Sequence, residues 1–405
     1  MVATACLVII SSVLVTIWAG PTKSAPFSLN RRSDGFPYPL DEVDKLEEDS
    51  LANFEAYLAK KPNSNGCTLE TAARRQEWHD LTIPQREEYI RAVLCLQSKP
   101  PKADKKKYPG IMNRYDDFVL THETQAMHLH STPHLFPAHR VYVWAYEKAL
   151  REECAYTGYQ PYWNWGRTAA DPINSPMFNG NMSSMGGNGG KSDYPGVMIH
   201  GAVFKPPYNM IPADIGGGCV TEGPFANMTV SLGPISKMMP DIPSNPQKDG
   251  YGHNPRCLRR DVNRYASAML YANYTYNLIT KANTVDLFQQ NMLGIPEKND
   301  WGVHMSGHYT IGGDPGGVSE RRSFAPLSDF YSSPGDPLFW FHHGMVDRVW
   351  WIWQMQDPEN RMNVLPDTPA KDDYVDLNWT ANRTNTWDLL DSIGGMGGEF
   401  CYIYV

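Results

Sequence analysis

The sequence predicts a mainly α-helical fold in which a four-helix bundle carries two groups of histidines, with long loops and little β-structure. Two histidine-rich parts of the chain are each flanked by segments with a helical pattern of apolar residues. Bundles build metal sites from side chains that project inward from facing helices. Between the two parts, residues 179–255 are dominated by Gly, Pro and Asn and show neither a helical nor a strand period, which predicts ordered loops.

The first histidine-rich stretch reads THETQAMHLHSTPHLFPAHR and holds five of the chain's 12 histidines. In one straight helix, His122, His130 and His139 would be separated by steps of about 12–13 Å and could not share a metal ion. Pro133 and Pro137 interrupt the helix, and Pro137 suits the first turn of a new one. The stretch therefore predicts a helix, a loop and a second helix that together bring three imidazoles to one place.

The second histidine-rich part comprises WGVHMSGHYTIGGD and, further on, DPLFWFHHGMVDRVWWIW. His304 and His308 are four residues apart, so both project from one face of a helical turn. The Asp-Pro pair that opens the later segment predicts a helix start, with Asp as N-cap and Pro at the first helical position. In that helix His343 shares a face with Phe339 and Asp347. Two three-histidine sets without a nearby cysteine predict a dinuclear metal centre with imidazole ligands.

These motifs resemble those of the type 3 copper family, and from Cys67 to Tyr404 the chain is similar to tyrosinases and catechol oxidases of the short fungal sort. The second-half pattern of that family is Asp-Pro-x-Phe, three residues, His, three residues, Asp. It is matched by Asp336, Pro337, Phe339, His343 and Asp347. The first-half pattern is matched by His130, His139 and Arg140. The resemblance implies two copper ions, with the ligands His122, His130, His139, His304, His308 and His343.

Imidazole also suits zinc, iron and nickel, and a mononuclear catalytic zinc site likewise uses three protein ligands. Two such sites with no carboxylate ligand beside them favour copper. A pair of copper ions binds dioxygen and removes two electrons from a catechol, which leaves as an o-quinone. The expected partners are therefore a small phenolic substrate and O2. The alternatives are a true tyrosinase that hydroxylates monophenols, a hemocyanin-like oxygen carrier and a copper-free remnant. Carriers shield their coppers with a separate domain, which we do not expect after Tyr404, and the complete ligand set disfavours a remnant.

Three further histidines are interpreted as non-ligands. His128 takes the place of a cysteine that some relatives join to a ligand histidine, His134 lies in the loop between the ligand helices, and His342 points about 100° away from His343. Asp347 is expected to fix a ligand-bearing region through hydrogen bonds. The Tyr-x-Tyr motif near the end of the chain is expected to pair with either Arg74 or Arg75.

The candidate substrate pocket departs from the pattern of monophenol-hydroxylating relatives. Leu293 stands where such relatives often hold a water-orienting Glu, and Met305 replaces the Asn that works with it. Neither side chain can position a water to deprotonate a phenol. Val318 and Phe339 complete the predicted pocket. The sequence thus favours oxidation of o-diphenols or o-aminophenols over hydroxylation of monophenols.

The start of the chain predicts a secretory protein. Residues 1–20 are apolar, end in small residues and are interpreted as a signal peptide, with an uncleaved membrane anchor as the alternative. Residues 21–60 are predicted to form a leader and a charged surface helix, and residues 61–405 the catalytic domain. If the signal is cleaved, we expect no stable membrane association. The formal net charge of −8 and the lack of a basic stripe with interleaved aromatics argue against a nucleic-acid partner.

Six cysteines follow the predicted signal peptide, and an even number in a secreted chain favours disulfides. We favour the pairs Cys219–Cys257 and Cys95–Cys154. Five Asn-x-Ser/Thr sequons agree with passage through the secretory pathway. They predict glycosylation at Asn181, Asn227, Asn273, Asn378 and Asn382.

Overall fold

A computed structural model describes residues 38–62, 65–130, 132–198, 204–235, 239, 241–315 and 331–405. The predicted signal peptide, the leader as far as residue 37 and the pocket candidate Val318 lie outside these described residues. Within them, no helix is long and apolar enough to cross a membrane.

The mainly helical prediction is confirmed for the described part of the chain. Its α-helices are α1 Glu42–Lys60, α2 Ile83–Ser98, α3 Arg114–Leu129, α4 Leu135–Cys154, α5 Trp165–Thr168, α6 Arg264–Ser267, α7 Ala272–Lys281, α8 Val285–Leu293, α9 Gly302–Ile311, α10 Leu338–Gln356 and α11 Pro358–Arg361. Its strands are β1 Ala73–Arg75, β2 Gly189–Lys191, β3 Gly196–Met198, β4 Met210–Pro212, β5 Gly217–Val220, β6 Thr229–Val230, β7 Arg256–Cys257, β8 Tyr374–Val375, β9 Thr384–Asn385 and β10 Tyr402–Tyr404.

Four of these helices carry the predicted ligands and contact one another in the order α3, α4, α10, α9. Helix α10 is buried along nearly its whole length and also packs against α1 and α7. The regular geometry of a four-helix bundle stays a prediction. The contacts nevertheless place the two ligand-bearing helix pairs on either side of the α4–α10 interface.

The ends of the ligand helices follow from local sequence. Asn113 caps α3, and its side chain accepts a hydrogen bond from the backbone N–H of Asp116, whose carboxylate accepts from the N–H of Asn113 in return. At the start of α10 the carboxylate of Asp336 accepts from the N–H of Leu338 at 2.9 Å, with Pro337 between them. Helix α10 therefore begins directly after the Asp-Pro pair, one residue later than predicted, and the side chain of Asp336 binds a backbone N–H of its first turn.

The glycine-rich region between the two ligand halves contains short antiparallel strand pairs, β2–β5, β3–β4 and β6–β7. The sequence predicted loops there and no strands. The strands were missed because pairs of two to four residues are too short to show an alternating pattern.

Both favoured disulfides are confirmed, since Cys95 bonds to Cys154 and Cys219 to Cys257. The remaining pair, Cys67–Cys401, closes a separation of 334 residues. It lies beside the parallel pairing of β1 with β10, in which Arg75 is opposite Tyr404. The two ends of the described core are therefore held together by a covalent bond and by backbone hydrogen bonds.

A buried ionic network connects this strand pair to both ligand halves. Asp347 of α10 accepts hydrogen bonds from Tyr402 at 2.8 Å and Tyr404 at 2.7 Å, and from the Nε of Arg140 on α4 at 2.6 Å. Arg75 lies 3.3 Å from the same carboxylate and donates a hydrogen bond to Tyr404 at 3.1 Å, so its guanidinium is an arginine partner of the Tyr-x-Tyr motif. Burial alone would raise the pKa of Asp347, but Arg140 and Arg75 hold it below its ordinary value. The carboxylate is thus kept ionised inside the core.

We expect Asp347→Asn to lower the free energy of unfolding of the copper-free protein by about 3–5 kcal/mol, because it removes one partner of a buried ionic network and leaves buried cations undercompensated. The measurement is urea unfolding followed by circular dichroism. The matched control is Glu399→Gln, which breaks an exposed 3.4 Å pair with Lys148 and should change stability by less than about 1 kcal/mol. Equal losses in the two variants would show that the network does not stabilise the fold.

Candidate metal centre

The first histidine cluster is assembled at the corner between α3 and α4. His122 comes from α3, His130 is the C-cap residue directly after α3, and His139 comes from the second turn of α4. Their potential ligand atoms lie within 4.8 Å of one another. The predicted helix–loop–helix arrangement therefore brings the three imidazoles together.

Backbone carbonyls fix the tautomer of all three rings. The Nδ1 atoms of His122, His130 and His139 lie 2.8, 2.9 and 2.7 Å from the carbonyl oxygens of Tyr331, Ala126 and Leu135 respectively. A carbonyl oxygen only accepts, so each Nδ1 carries the hydrogen and each Nε2 keeps its lone pair. The Nε2 atoms of His122 and His139 are buried and have no hydrogen-bond partner among the described residues. Such atoms are suited to bind a metal ion.

The second cluster combines His304 and His308 from α9 with His342 and His343 from α10, and the potential ligand atoms of these four residues lie within 4.8 Å of one another. The Nε2 atoms of His308 and His343 lie 3.2 Å apart. Two imidazole lone pairs facing each other at this distance repel unless a cation or a proton lies between them. The ring nitrogens of His304 have no partner among the described residues. His304 therefore presents buried ring nitrogens to which a metal ion could bind, and an ion between His308 and His343 would relieve the repulsion of their lone pairs.

His342, which was interpreted from the sequence as a non-ligand, belongs to the second cluster by position. Its buried ring is 4.4 Å from that of His308 and 5.5 Å from that of His304. The room for this ring comes from Gly307, where a Cβ would lie 2.1 Å from the imidazole. That His343 and not His342 binds the metal stays a prediction.

The two clusters face each other directly. The rings of His139 and His343 are stacked, with centroids 4.3 Å apart and planes at 15°. Phe339 lies between the clusters, 4.1 Å from the ring of His343 and 5.3 Å from that of His122. Sequence reasoning placed Phe339 in the substrate pocket, and the structure shows that its ring packs on ligand candidates from both halves. It thereby sets the spacing between the two clusters.

The other pocket candidates lie on α8 and α9. Leu293 is half-buried at the end of α8. Met305 is buried on α9 in an apolar cluster with Trp301 and Tyr309. Neither side chain carries a carboxylate or an amide that could orient a water molecule.

Two of the histidines that were interpreted as non-ligands, His128 and His134, join neither cluster. His134 bonds to Asp373 through Nε2, and His128 is exposed. His79 is likewise away from the site, buried beside Glu77.

The functional groups that sequence reasoning missed are the carbonyl partners of the ligand rings. For His130 and His139 these are the carbonyls four residues earlier, a spacing that follows from helical geometry.

The electrostatics fit a metal bound by neutral imidazoles. The six rings are between 0% and 7% exposed. Burial lowers the pKa of His122 to about 3 and that of His130 to about 4, and it lowers the pKa of the other four well below the ordinary value. All six are neutral at pH 7, which is the form that binds metals. Among the described residues no carboxylate joins either cluster, and such an all-imidazole set suits copper.

We expect His343→Ala to reduce the copper content of reconstituted protein from two ions to about one per chain, because the second cluster loses one of three lone pairs. Elemental analysis after gel filtration measures this. The neighbouring variant His342→Gln is the control and should retain both ions. If His343→Ala keeps both ions, or if only His342→Gln loses one, then His342 and not His343 is the metal ligand on α10.

The comparisons with known proteins agree with this geometry. The family described as the common central domain of tyrosinase matches residues 112–356, which include all six ligand candidates. The chain is 37% identical over 323 residues to the tyrosinase-like protein orsC of Emericella nidulans, covering 76% of this chain and 80% of that protein. It is 34% identical to Tyrosinase P of Aspergillus terreus, covering 82% of this chain and 91% of that protein. It is 31% identical to the N-acetyl-6-hydroxytryptophan oxidase ivoB of Emericella nidulans, covering 84% of this chain and 93% of that protein.

Among solved structures, a polyphenol oxidase variant from Thermothelomyces thermophila superimposes with a TM-score of 0.78 at 37% identity, covering 90% of this chain and 98% of that one. This family comprises copper oxidoreductases with a dinuclear centre, and the two facing histidine clusters fit that centre. The chain belongs to the tyrosinase family.

Proposed function

We propose that this protein is a secreted dicopper oxidase that uses O2 to oxidise o-diphenols or o-aminophenols to quinones or quinone imines in the biosynthesis of pigments or other secondary metabolites. The observation that carries the proposal is the pair of histidine clusters, each with at least three imidazoles, that face each other across stacked rings 4.3 Å apart. When bound there, two copper ions supply the site for dioxygen and accept two electrons from the substrate.

The protein contributes a dry, fixed site. The carbonyls of Tyr331, Ala126 and Leu135 orient the three rings of the first cluster. Burial keeps the imidazoles neutral, so they hold copper without competition from protons near neutral pH. Ligands held in place in this way do not have to reorganise when the metal changes its charge.

The preference for diphenols rests on Leu293 and Met305. A monophenol must lose its proton before it can bind copper, and a free phenol has a pKa of about 10. At neutral pH roughly one molecule in a thousand is ionised, so a positioned base or activated water is valuable to a hydroxylase. Leu and Met provide neither. A catechol depends less on such a base, because it is more acidic.

The relatives support an aromatic substrate that carries a hydroxyl group. The name of the 31% identical oxidase from Emericella nidulans specifies a hydroxytryptophan derivative, and a 34% identical relative is called a tyrosinase. The alternative is therefore a true tyrosinase that hydroxylates monophenols, which the names of these relatives favour more than the pocket residues do.

Secretion and glycosylation are also part of the proposal. All five sequon asparagines are exposed on the described surface, so glycans could be attached there without disturbing the core. Three disulfides suit an oxidising compartment. The signal peptide predicted at residues 1–20 would direct the chain there.

We expect the unmodified protein to oxidise a catechol and an o-aminophenol readily and to act on tyramine slowly or not at all. The double variant Leu293→Glu/Met305→Asn should raise the turnover of tyramine relative to that of 4-methylcatechol by about tenfold or more, since general-base assistance typically contributes about 10²- to 10⁴-fold. Oxygen uptake with the substrates side by side measures the ratio.

The matched control is Leu293→Gln/Met305→Leu, which has similar volume but no carboxylate, and its ratio should stay near that of the unmodified protein. If the unmodified protein already turns over tyramine at a rate similar to that of the catechol, the alternative of a true tyrosinase is correct. Absence of oxygen uptake with every substrate, in protein that holds two copper ions, would overturn the proposal as a whole.

A further inference from the structure

A buried arginine of the loop region binds the start of helix α10. The side chain of Arg260 is fully buried, and its Nε and Nη2 atoms lie 2.7 and 2.8 Å from the two carboxylate oxygens of Asp336. Such two-point pairing with a carboxylate requires the planar guanidinium of an arginine. The same carboxylate accepts the N–H of Leu338 in the first turn of α10. The guanidinium therefore fixes the first turn of the helix whose second turn carries His343.

The backbone around Arg260 packs against the end of helix α9. In segment 259–263, the N–H of Asn263 donates a hydrogen bond to the carbonyl of Thr310 on α9 at 2.9 Å. Gly313, just after α9, allows a close approach, because it has a φ of +73° and a Cβ there would lie 2.5 Å from the Cα of Arg260. The segment is thus packed against the C-terminal end of the helix that carries two histidines of the second cluster.

The glycine-rich region holds Arg260 from another side. Its Nη1 donates a hydrogen bond to the carbonyl of Met185 at 2.6 Å. Its own backbone carbonyl accepts the N–H groups of Gly217 on β5 at 2.7 Å and of Gly189 on β2 at 3.2 Å. Because both the side chain and the backbone of Arg260 are engaged in this way, the arginine is a fixed point against which α10 is held.

One residue thus joins the two helices of the second cluster, through its backbone to α9 and through its side chain to α10. Donor atoms from two helices can share one metal ion only if the helices keep a fixed separation, and binding sites tolerate displacements of only about 0.5 Å. We propose that Arg260 is a positioning residue of the second cluster, which holds α9 and α10 at the separation that lets their histidines bind one copper ion.

The test measures copper(I) affinity in two backgrounds that each retain one intact cluster. The backgrounds are His122→Ala/His139→Ala and His304→Ala/His308→Ala. In the former only the second cluster is intact, and in the latter only the first. Each is combined with Arg260→Met/Asp336→Asn, which removes the ion pair without leaving an unpaired buried charge and keeps a side chain that can cap α10.

Competition with a chromogenic copper(I) chelator under nitrogen gives the affinity of each intact cluster. We expect Arg260→Met/Asp336→Asn to weaken copper binding at the second cluster by about tenfold or more, which is the size of effect that residues supporting metal ligands have. Binding at the first cluster should not change. Arg260→Lys keeps the charge but lacks the planar fork, so the affinity of the second cluster should be intermediate.

The matched control makes the same two substitutions at the neighbouring, more exposed pair, as Arg259→Met/Asp241→Asn, whose charged atoms lie 2.7 Å apart. It should leave the affinity of both clusters unchanged. An equal loss at both clusters in Arg260→Met/Asp336→Asn would show that the ion pair only stabilises the fold, and no loss at either would show that the helices keep their separation without it. Both results would overturn the proposal.

Circular dichroism of the copper-free variants checks that they are folded. If Arg260→Met/Asp336→Asn does not fold, Arg260→Lys decides the matter, and an unchanged affinity of its second cluster would contradict the role of the two-point contact. The proposal concerns metal binding alone. A protein that behaves as expected here but oxidises no phenol would contradict only the proposed function.

Discussion

The buried carboxylate of Asp347 is the interaction on which the arrangement of the site depends. Arg140, which binds it, follows the ligand candidate His139 directly in the chain, and Asp347 itself lies one helical turn after His343. One ion pair thus joins the backbone segments that carry ligand candidates of opposite clusters. The guanidinium of Arg140 also lies 3.8 Å from the ring of Trp350, which fixes it further. A shift of α4 against α10 would separate these groups in the core, so the distance between the clusters is strongly constrained.

The same carboxylate also binds residues near the end of the chain, which are buried in the core. Tyr402 and Tyr404 donate hydrogen bonds to it from β10, and β10 pairs with β1 beside the Cys67–Cys401 disulfide. Buried ion pairs are not reliably stabilising in themselves, because desolvation of the charges opposes their attraction. Here two phenols and two guanidiniums share one carboxylate, and this satisfies its oxygens without water. The gain is a fixed geometry that a purely apolar contact would specify less well.

Much of the metal centre could be predicted from the sequence, because its signals are local. The spacing of His122, His130 and His139 with the intervening prolines predicted how they are brought together, and the Asp-Pro pair predicted the start of α10. What sequence could not give are contacts between residues far apart in the chain. The position of His342 depends on the space that Gly307 leaves on another helix. The charged α1 looked like a surface helix, yet Asp44 and Glu47 are buried and paired with Arg348 of α10. No periodic pattern distinguishes an acid that faces a buried arginine from one that faces water.

The burial that keeps the histidines neutral also has an energetic cost in the absence of metal. A buried polar atom without a partner costs on the order of 1–3 kcal/mol, and the inward nitrogens of His122, His139 and His304 have no partner among the described residues. The carbonyl bonds to Nδ1 prevent the rings of the first cluster from turning these nitrogens toward other groups. Copper binding removes this cost, so the affinity of the site and the stability of the fold are thermodynamically linked. In the metal-free protein, the hydrogen bonds and ion pairs of Asp347 offset part of this cost and keep the two clusters close together. Since the histidines are already neutral and oriented, little of the binding free energy of copper is lost to deprotonation or rearrangement.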